Sequence, residues 1–473
     1  MDKLKRIILQ LDQEKYKELE ESLIKTHSDK FLTLLRYYRT NSTANLLEIL
    51  NCNENALYVL KSRLFDKTQK YLIDNHNNSK NSDQKSIENF NQYLTEFPRD
   101  TAIAMLHEIE KKYIQLNDPA NLTAIYSALK KAYHYSDKQY IYSQLYNKQV
   151  AFSISLEKAD DLLFSFNKHL ANYFFSNASS ELDILVLLKN EIKNIHALNK
   201  SHKIELILNS ILIQMLLFTR VELAEEDPVE DIIQKSETII NQYPEDKQVE
   251  QHKLLLAFFK FEYYKSINQI KKCLPYLDLV NAQSQKWLLY GNYCLALKFL
   301  FSKVEILVRF GRVKELTEEK HDHYFDNYDF YSTVAFRFYD ALKNYYGGQI
   351  KEAIAILNKI IEKSSFVNFP HMEFEIKLTL AYFYYRKKEF EVAGNVLKNL
   401  SRKVNGSEEF SKYNNVKTFI KLITALLTEK KTPAYLTKQA TLLEQFNFYN
   451  FSERKVLQHL QHDIETITSL KKN

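Results

Sequence analysis

Residues 347–361 read GGQIKEAIAILNKII. Two glycines lead into Ile350, Ala353, Leu357 and Ile360, spaced by three and four. That pattern is a turn feeding an amphipathic helix with one small residue on its apolar face. The chain then repeats it. Residues 387–400 read KKEFEVAGNVLKNL, where Phe390, Ala393, Leu397 and Leu400 fall 40 positions after Ile350, Ala353, Leu357 and Ile360. The same frame occurs earlier as GRVKEL at 311–316 and NQIKKCL at 268–274. The anchors are therefore Cys273, Leu316, Ala353 and Ala393, spaced 43, 37 and 40. A recurrence of this length signals stacked helical hairpins. The small residue lets the two helices of a pair cross closely, and large residues on either side fill the groove.

Elsewhere glycine is nearly absent. There are 6 in 473 residues, the first being Gly291, where an ordinary usage of about 7% would give roughly 33. Glycine supplies the positive φ of tight turns and lets backbone approach phosphates. A Gly-rich phosphate loop cannot precede Gly291, and Gly347-Gly348 is followed by no Lys-Ser or Lys-Thr. HExxH and GxSxG are absent too. Helical periodicity runs nearly end to end, and strict alternation over strand length is hard to find. The 7 prolines fall mostly at element starts or breaks, and Asp118-Pro119 and Asp227-Pro228 read as an N-cap followed by proline at the first helical position. The expectation is an all-α chain that is not an enzyme and carries no cofactor.

At the repeated frame the chain resembles tetratricopeptide repeats. Ala341, Gly348, Ile350, Ala353 and Leu357 fit the family pattern, and so do Leu380, Ala381, Tyr384, Phe390, Ala393 and Leu397. The departures are a spacing above the family's 34 residues, Lys388 or Asn268 for the turn glycine, and Leu316 for the close-packing alanine. The two clearest copies run from about Ser332 to Lys403, with an extension to about Leu254. The resemblance implies a helical-hairpin solenoid whose first helices line a concave groove. Its lining would comprise Arg309, Phe338, Leu342, Tyr345, Tyr346, Tyr382, Tyr385 and Arg386. Tyr and Arg are enriched at binding hot spots, and their phenol and guanidinium groups hold peptide backbone or carboxylate. The same aromatics could instead pack between helices.

Toward the N-terminus the organisation changes. Residues 75–86, NHNNSKNSDQKS, contain almost no apolar side chain, a composition that reads as a linker. The resulting expectation is an N-terminal helical domain at 1–74, a linker at 75–86, an irregular helical array at 87–250, and repeats with C-terminal helices at 251–473. Within the first of these, residues 43–64 read TANLLEILNCNENALYVLKSRL. The portion LEILNCNENAL resembles the helix-turn-helix of sigma-factor and LuxR-type regulators, with Ile49, Leu50 and Asn51 at the turn. Asn tolerates the left-handed conformation such a turn needs. The resemblance implies DNA contacts from Lys61, Arg63 and Lys67. The other reading is an ordinary hairpin cored by Leu46, Leu50, Leu57, Leu60 and Leu64, with those cations on a solvated face.

Bulk properties add limits. Net charge is +6 from 65 basic and 59 acidic residues, too mild at this length to imply nucleic acid. Cys52, Cys273 and Cys294 form neither a disulfide framework nor a metal knuckle. The N-terminal MDKLKRIILQLDQEKY is not a signal peptide, and Leu206–Phe218 is too short and too polar to span a membrane. A cytoplasmic location is expected. His321-Asp322-His323, and His459 with His462 on the last helix, are the nearest approaches to metal-ligand spacing, and no third ligand is evident. The acidic run from Glu222 to Asp231 reads as a solvated turn or a dock for a basic partner.

Two functions follow. The first is a non-enzymatic adaptor binding a protein or peptide in the groove. The second resembles the bacterial regulators that join a DNA-binding helix-turn-helix to a repeat sensor.

Overall fold

A computed structural model describes residues 3–11, 13–26, 28–40, 45–79, 90–219, 221, 226–244, 246–283, 293–318, 330–406, 410, 412–428, 432–452, 455–460 and 462–464. Among them every regular element is helical. The chain divides into two compact units, Met1–Glu157 and Lys158–Asn473.

The first unit holds α1 (Lys3–Gln10), α2 (Gln13–Lys25), α3 (Asp29–Arg39), α4 (Leu46–Leu50), α5 (Glu54–Ser79), α6 (Gln92–Glu96), α7 (Arg99–Gln115) and α8 (Pro119–Ala132). It ends within α9 (Lys138–Ser176), so the division lies inside a helix and not at 75–86 or 250. The expected linker is also helical at its start. Polar residues cost a helix only about 0.5 kcal/mol each, so a helix nucleated by residues 54–74 propagates through Ser79. Residues 80–89 lie outside the described set.

One apolar cluster gathers Leu4, Ile7, Ile8, Leu19, Leu23, Leu34, Leu35, Leu50 and Leu64. Arg39 donates to the carbonyls of Ile8 and Leu11 at 3.1 and 2.9 Å, supplying partners at the end of α1. Asn45 caps α4 by accepting from Leu47 N, and Asn51 ends it at φ 44°, the left-handed turn that the helix-turn-helix resemblance needs. A second cluster joins Phe90, Met105, Leu106, Leu122, Ile125 and Leu129 on α7, α8 and the residues before them. Asp118 caps α8 with Pro119 at its first position.

The second unit continues with α10 (Ser179–Leu198), α11 (His202–Phe218) and α12 (Val229–Gln242). Pro228 takes the N-cap position of α12, one residue later than expected, and Asp227 pairs with Lys235 at 2.5 Å. Helices then pair in sequence: α13 (Lys247–Ser266) with α14 (Ile270–Ala282), α15 (Tyr293–Arg309) with α16 (Val313–Glu318), α17 (Phe330–Tyr346) with α18 (Ile350–Lys363), α19 (Pro370–Arg386) with α20 (Phe390–Asn405), and α21 (Asn414–Leu427) with α22 (Pro433–Ser452).

The first four hairpins share one turn. Asn268, Gly311, Gly348 and Lys388 all have positive φ, at 56°, 67°, 81° and 66°. At each, the N–H reaches back three residues, and the next N–H reaches back five: Gly348 to Tyr345 O at 3.1 Å and Gln349 to Asn344 O at 2.8 Å, Lys388 to Tyr385 O and Glu389 to Tyr384 O at 3.0 Å. This is the Schellman closure of a helix C-terminus. Five residues after each left-handed position stand Cys273, Leu316, Ala353 and Ala393, all fully buried. Spacings of 43, 37 and 40 therefore conceal a constant local geometry.

Leucine-sized or smaller anchors pass this seam, and only the turn residue is conformationally costly. Replacing Lys388 with Gly is expected to stabilise the chain by about 0.5–1 kcal/mol, and Gly348→Ala to destabilise it by about 1 kcal/mol, because a Cβ at left-handed φ is strained. Chemical denaturation of both variants checks the opposite signs.

Candidate functional site

In the second unit α15, α17 and α19 present one face to a C-terminal segment, residues 455–460 and 462–464. The segment is not the continuous helix on which His459 and His462 were expected to lie. It holds a 3-10 turn at Gln458–Leu460, preceded by Leu457 at φ 57°, and helical residues at 462–464. The N–H groups just before the turn find their acceptors outside the segment. Val456 N donates to Asn450 Oδ1 at 2.7 Å, Asn450 Nδ2 donates to Val456 O at 3.0 Å, and Asn415 Nδ2 donates to Asn450 Oδ1 at 3.1 Å. Leu457 N then donates to both carboxylate oxygens of Glu375, at 3.0 and 3.1 Å.

Further along, Tyr346 OH donates to the His459 carbonyl at 2.7 Å, and Thr379 Oγ1 lies 3.2 Å from His459 Nε2. Tyr345 OH donates to Asp463 Oδ2 at 2.6 Å, with Arg386 Nη1 3.7 Å from the same oxygen. The imidazole of His459 meets Phe338 edge-on at 5.1 Å between centroids, with Phe301 at 6.3 Å. Val456, Leu457, Leu460 and Ile464 are all buried.

Burying those four side chains contributes about 6–12 kcal/mol as an upper estimate. Six hydrogen bonds add about 1 kcal/mol each. Ordering nine positions costs about 9–18 kcal/mol. The attractive terms match or exceed the ordering cost, which leaves a few kilocalories per mole to hold the segment in place.

Burial sets the protonation states. It pushes the phenols of Tyr345, Tyr346 and Tyr382 above their ordinary range, with Asp463 adding to the effect, so all three remain hydrogen-bond donors. Burial also pushes His459 down to about 3, holding it as a neutral ring.

Of the residues expected to line an open groove, Phe338, Tyr345, Tyr346 and Arg386 meet the segment. Tyr382 is buried beside them and accepts a hydrogen bond from Arg386 at 3.3 Å. Leu342 is core, Tyr385 packs on Phe390, and Arg309 is exposed at the end of α15. An open groove is therefore not what stands here. The chain itself covers the face, burying four aliphatic side chains and pairing the Val456, Leu457 and His459 backbone groups there. Glu375, Thr379 and Asn450 were missed from sequence. Glu375 and Thr379 stand eleven and seven residues before Arg386, and with Tyr382 they form one stripe of α19, a signal that was available.

The other candidates fall apart or lie elsewhere. Lys67 donates to Thr26 and Ser28 hydroxyls at 3.3 Å, Lys61 lies over Tyr38 at 5.8 Å, and Arg63 is exposed. Leu46, Leu57 and Leu60 pack against the N-terminal core. In the acidic run, Glu226 binds Lys189 and Lys193, and Glu230 accepts from Tyr263 at 3.0 Å. His321-Asp322-His323 lies outside the described residues. His459 is buried and His462 exposed. Among the described residues no group of three metal-ligating side chains is placed to hold an ion, and no helix is long and apolar enough to cross a membrane. Compared with protein-family models, characterised proteins and solved structures, the chain matches none.

Acid should loosen the segment. A released His459 binds a proton below about pH 6.5, whereas the docked ring resists until about pH 3. The docked state thus loses stability as pH falls through that window, by about 2 kcal/mol between pH 7 and pH 5. The protection factor of the Leu457 amide in hydrogen exchange is expected to fall about 25-fold over that interval, and His459→Gln to remove most of the fall.

Proposed function

We propose that this chain is a non-enzymatic protein-interaction adaptor, built as a solenoid of tetratricopeptide-like hairpins, that binds a protein or peptide segment on the face formed by α15, α17 and α19. One observation supports the reading above others. The face grips the left-handed Leu457 and the 3-10 turn after it through their backbone, at the Leu457 N–H and the His459 carbonyl, as well as through side chains. Contacts to backbone groups work for any extended or irregular peptide, whereas helix-on-helix packing offers only side chains. The phenols of Tyr345 and Tyr346, the Glu375 carboxylate and the Arg386 guanidinium add recognition to a surface otherwise made of buried aromatic and aliphatic groups.

The test uses the full-length chain with Leu457→Asp, which places a carboxylate where the segment is buried and so disables docking in cis. A fluorescein-labelled peptide of residues 454–466 is the probe. Fluorescence polarisation is expected to show saturable micromolar binding. Adding Tyr345→Phe and Tyr346→Phe should weaken it roughly tenfold, from two lost hydrogen bonds. No binding, with helicity unchanged by circular dichroism, would sink the proposal.

A further inference from the structure

The occupied face states what kind of ligand it takes. At one end the Asn450 side-chain amide pairs with both backbone groups of Val456, as a neighbouring strand would. Next, the Glu375 carboxylate takes the following N–H. Leu457 between these contacts is left-handed, a conformation that leucine avoids, so the seat and not the segment's own preference sets the backbone there. Two residues on, the slot formed by Phe301 and Phe338, with Thr379 at its edge, holds a neutral imidazole. At the far end the Tyr345 hydroxyl and the Arg386 guanidinium converge on the Asp463 carboxylate. Arg386 has 42% of its side chain exposed, so this end of the seat is open to solvent.

We infer that the ligand of this face is a peptide segment repeating the chemistry of residues 456–464, and that the chain's own copy competes with it, so that the full-length chain is self-occupied. The ligand offers two adjacent aliphatic anchors, a flat neutral ring two residues after the second, an aliphatic residue next to the ring, and a carboxylate four residues after the ring. This inference rests on the adaptor reading above, and it adds that reading's partner class and its regulation. A tethered segment acts at an effective concentration in the millimolar range, so a free peptide making the same contacts with micromolar affinity is suppressed about 100-fold or more. Partner binding then requires either a segment that makes better contacts than the tail or an event that frees the tail.

The experiment keeps the whole chain. A protease recognition site is placed between Ser452 and Lys455 and is cut after folding, so that the segment becomes untethered. The labelled 454–466 peptide, in tenfold excess over the cut fragment, should replace it, while the uncut chain should bind the probe at least 100-fold more weakly. Uncut chain carrying Leu457→Asp should behave like the cut chain. A probe with Asp463→Asn should bind about tenfold more weakly, and Arg386→Ala in the cut chain should reduce that discrimination. Equal binding by cut and uncut chains would overturn self-occupancy and leave the peptide-binding reading intact. Failure of the cut, fully helical chain to take up the probe would overturn both. Conversion of the chain to a dimer on cutting or on Leu457→Asp would show that a second copy's segment, not a foreign peptide, is the occupant, and would overturn the ligand assignment.

Discussion

One left-handed residue, five positions before a buried anchor, organises the second unit. At Asn268, Gly311, Gly348 and Lys388 the backbone reverses through the same pair of hydrogen bonds. The reversal fixes where the following helix starts, and so fixes which of its residues meets the helix before it. That position is always buried and never aromatic. Spacing between turns can then vary, because length is absorbed in the helices and in the connections between hairpins, while each hairpin keeps its own geometry. Glycine is affordable as a rarity here: two of the four turns use it, and asparagine and lysine accept the cost at the others.

Polar side chains also join helices of different hairpins. Between α13 and α15, half-buried Lys265 donates to Ser302 at 2.6 Å and lies within 3.5 Å of both Glu262, which is buried, and Glu305. Opposite charges hold both members ionised: burial opposes each charge, yet Glu262 stays below the usual carboxylate range and Lys265 above the usual amine range. Such a pair is poor as a source of stability, but removing one member leaves the other charge buried, which costs about 3–5 kcal/mol. It penalises a slipped hairpin more than it rewards a correct one.

Much of this was legible from residue order. The anchors Cys273, Leu316, Ala353 and Ala393 were found from their frame, and all are buried. Asn51 was read as a left-handed turn and is one. The helical class followed from periodicity and scarce glycine. What residue order could not reveal is which face of the repeat helices would be covered, and by what. Tyr345, Tyr346 and Arg386 were expected to line a peptide groove; in the structure they contact residues of the same chain more than 70 positions downstream. Nothing local marks residues 456–464 as their contact. Residues 458–460 form a 3-10 turn and 462–464 are helical, and Asn450 and Glu375 accept from the Val456 and Leu457 N–H groups that precede the turn. Long-range pairing of backbone donors has no periodicity to read. The compact division inside α9 escaped for a similar reason, since a helix can continue across a boundary that its side chains do not record.

The distinction between a core seam and a binding face therefore turns on which groups meet. Leu342, Leu378 and Ala381 are buried by helix-to-helix packing, and nothing about them requires a ligand. Glu375 is different. Both its oxygens accept from the Leu457 N–H, and His371 Nε2 lies 3.9 Å from one of them. The carbonyl of His459 and the carboxylate of Asp463 likewise accept from hydroxyls of α17. Remove the segment, and a carboxylate, two phenols and a threonine hydroxyl face an aromatic-lined surface together. A folding core avoids that composition, because unpaired buried polar groups cost about 1–3 kcal/mol each. On the adaptor reading proposed above, water takes the peptide's place at those groups when the surface is vacated.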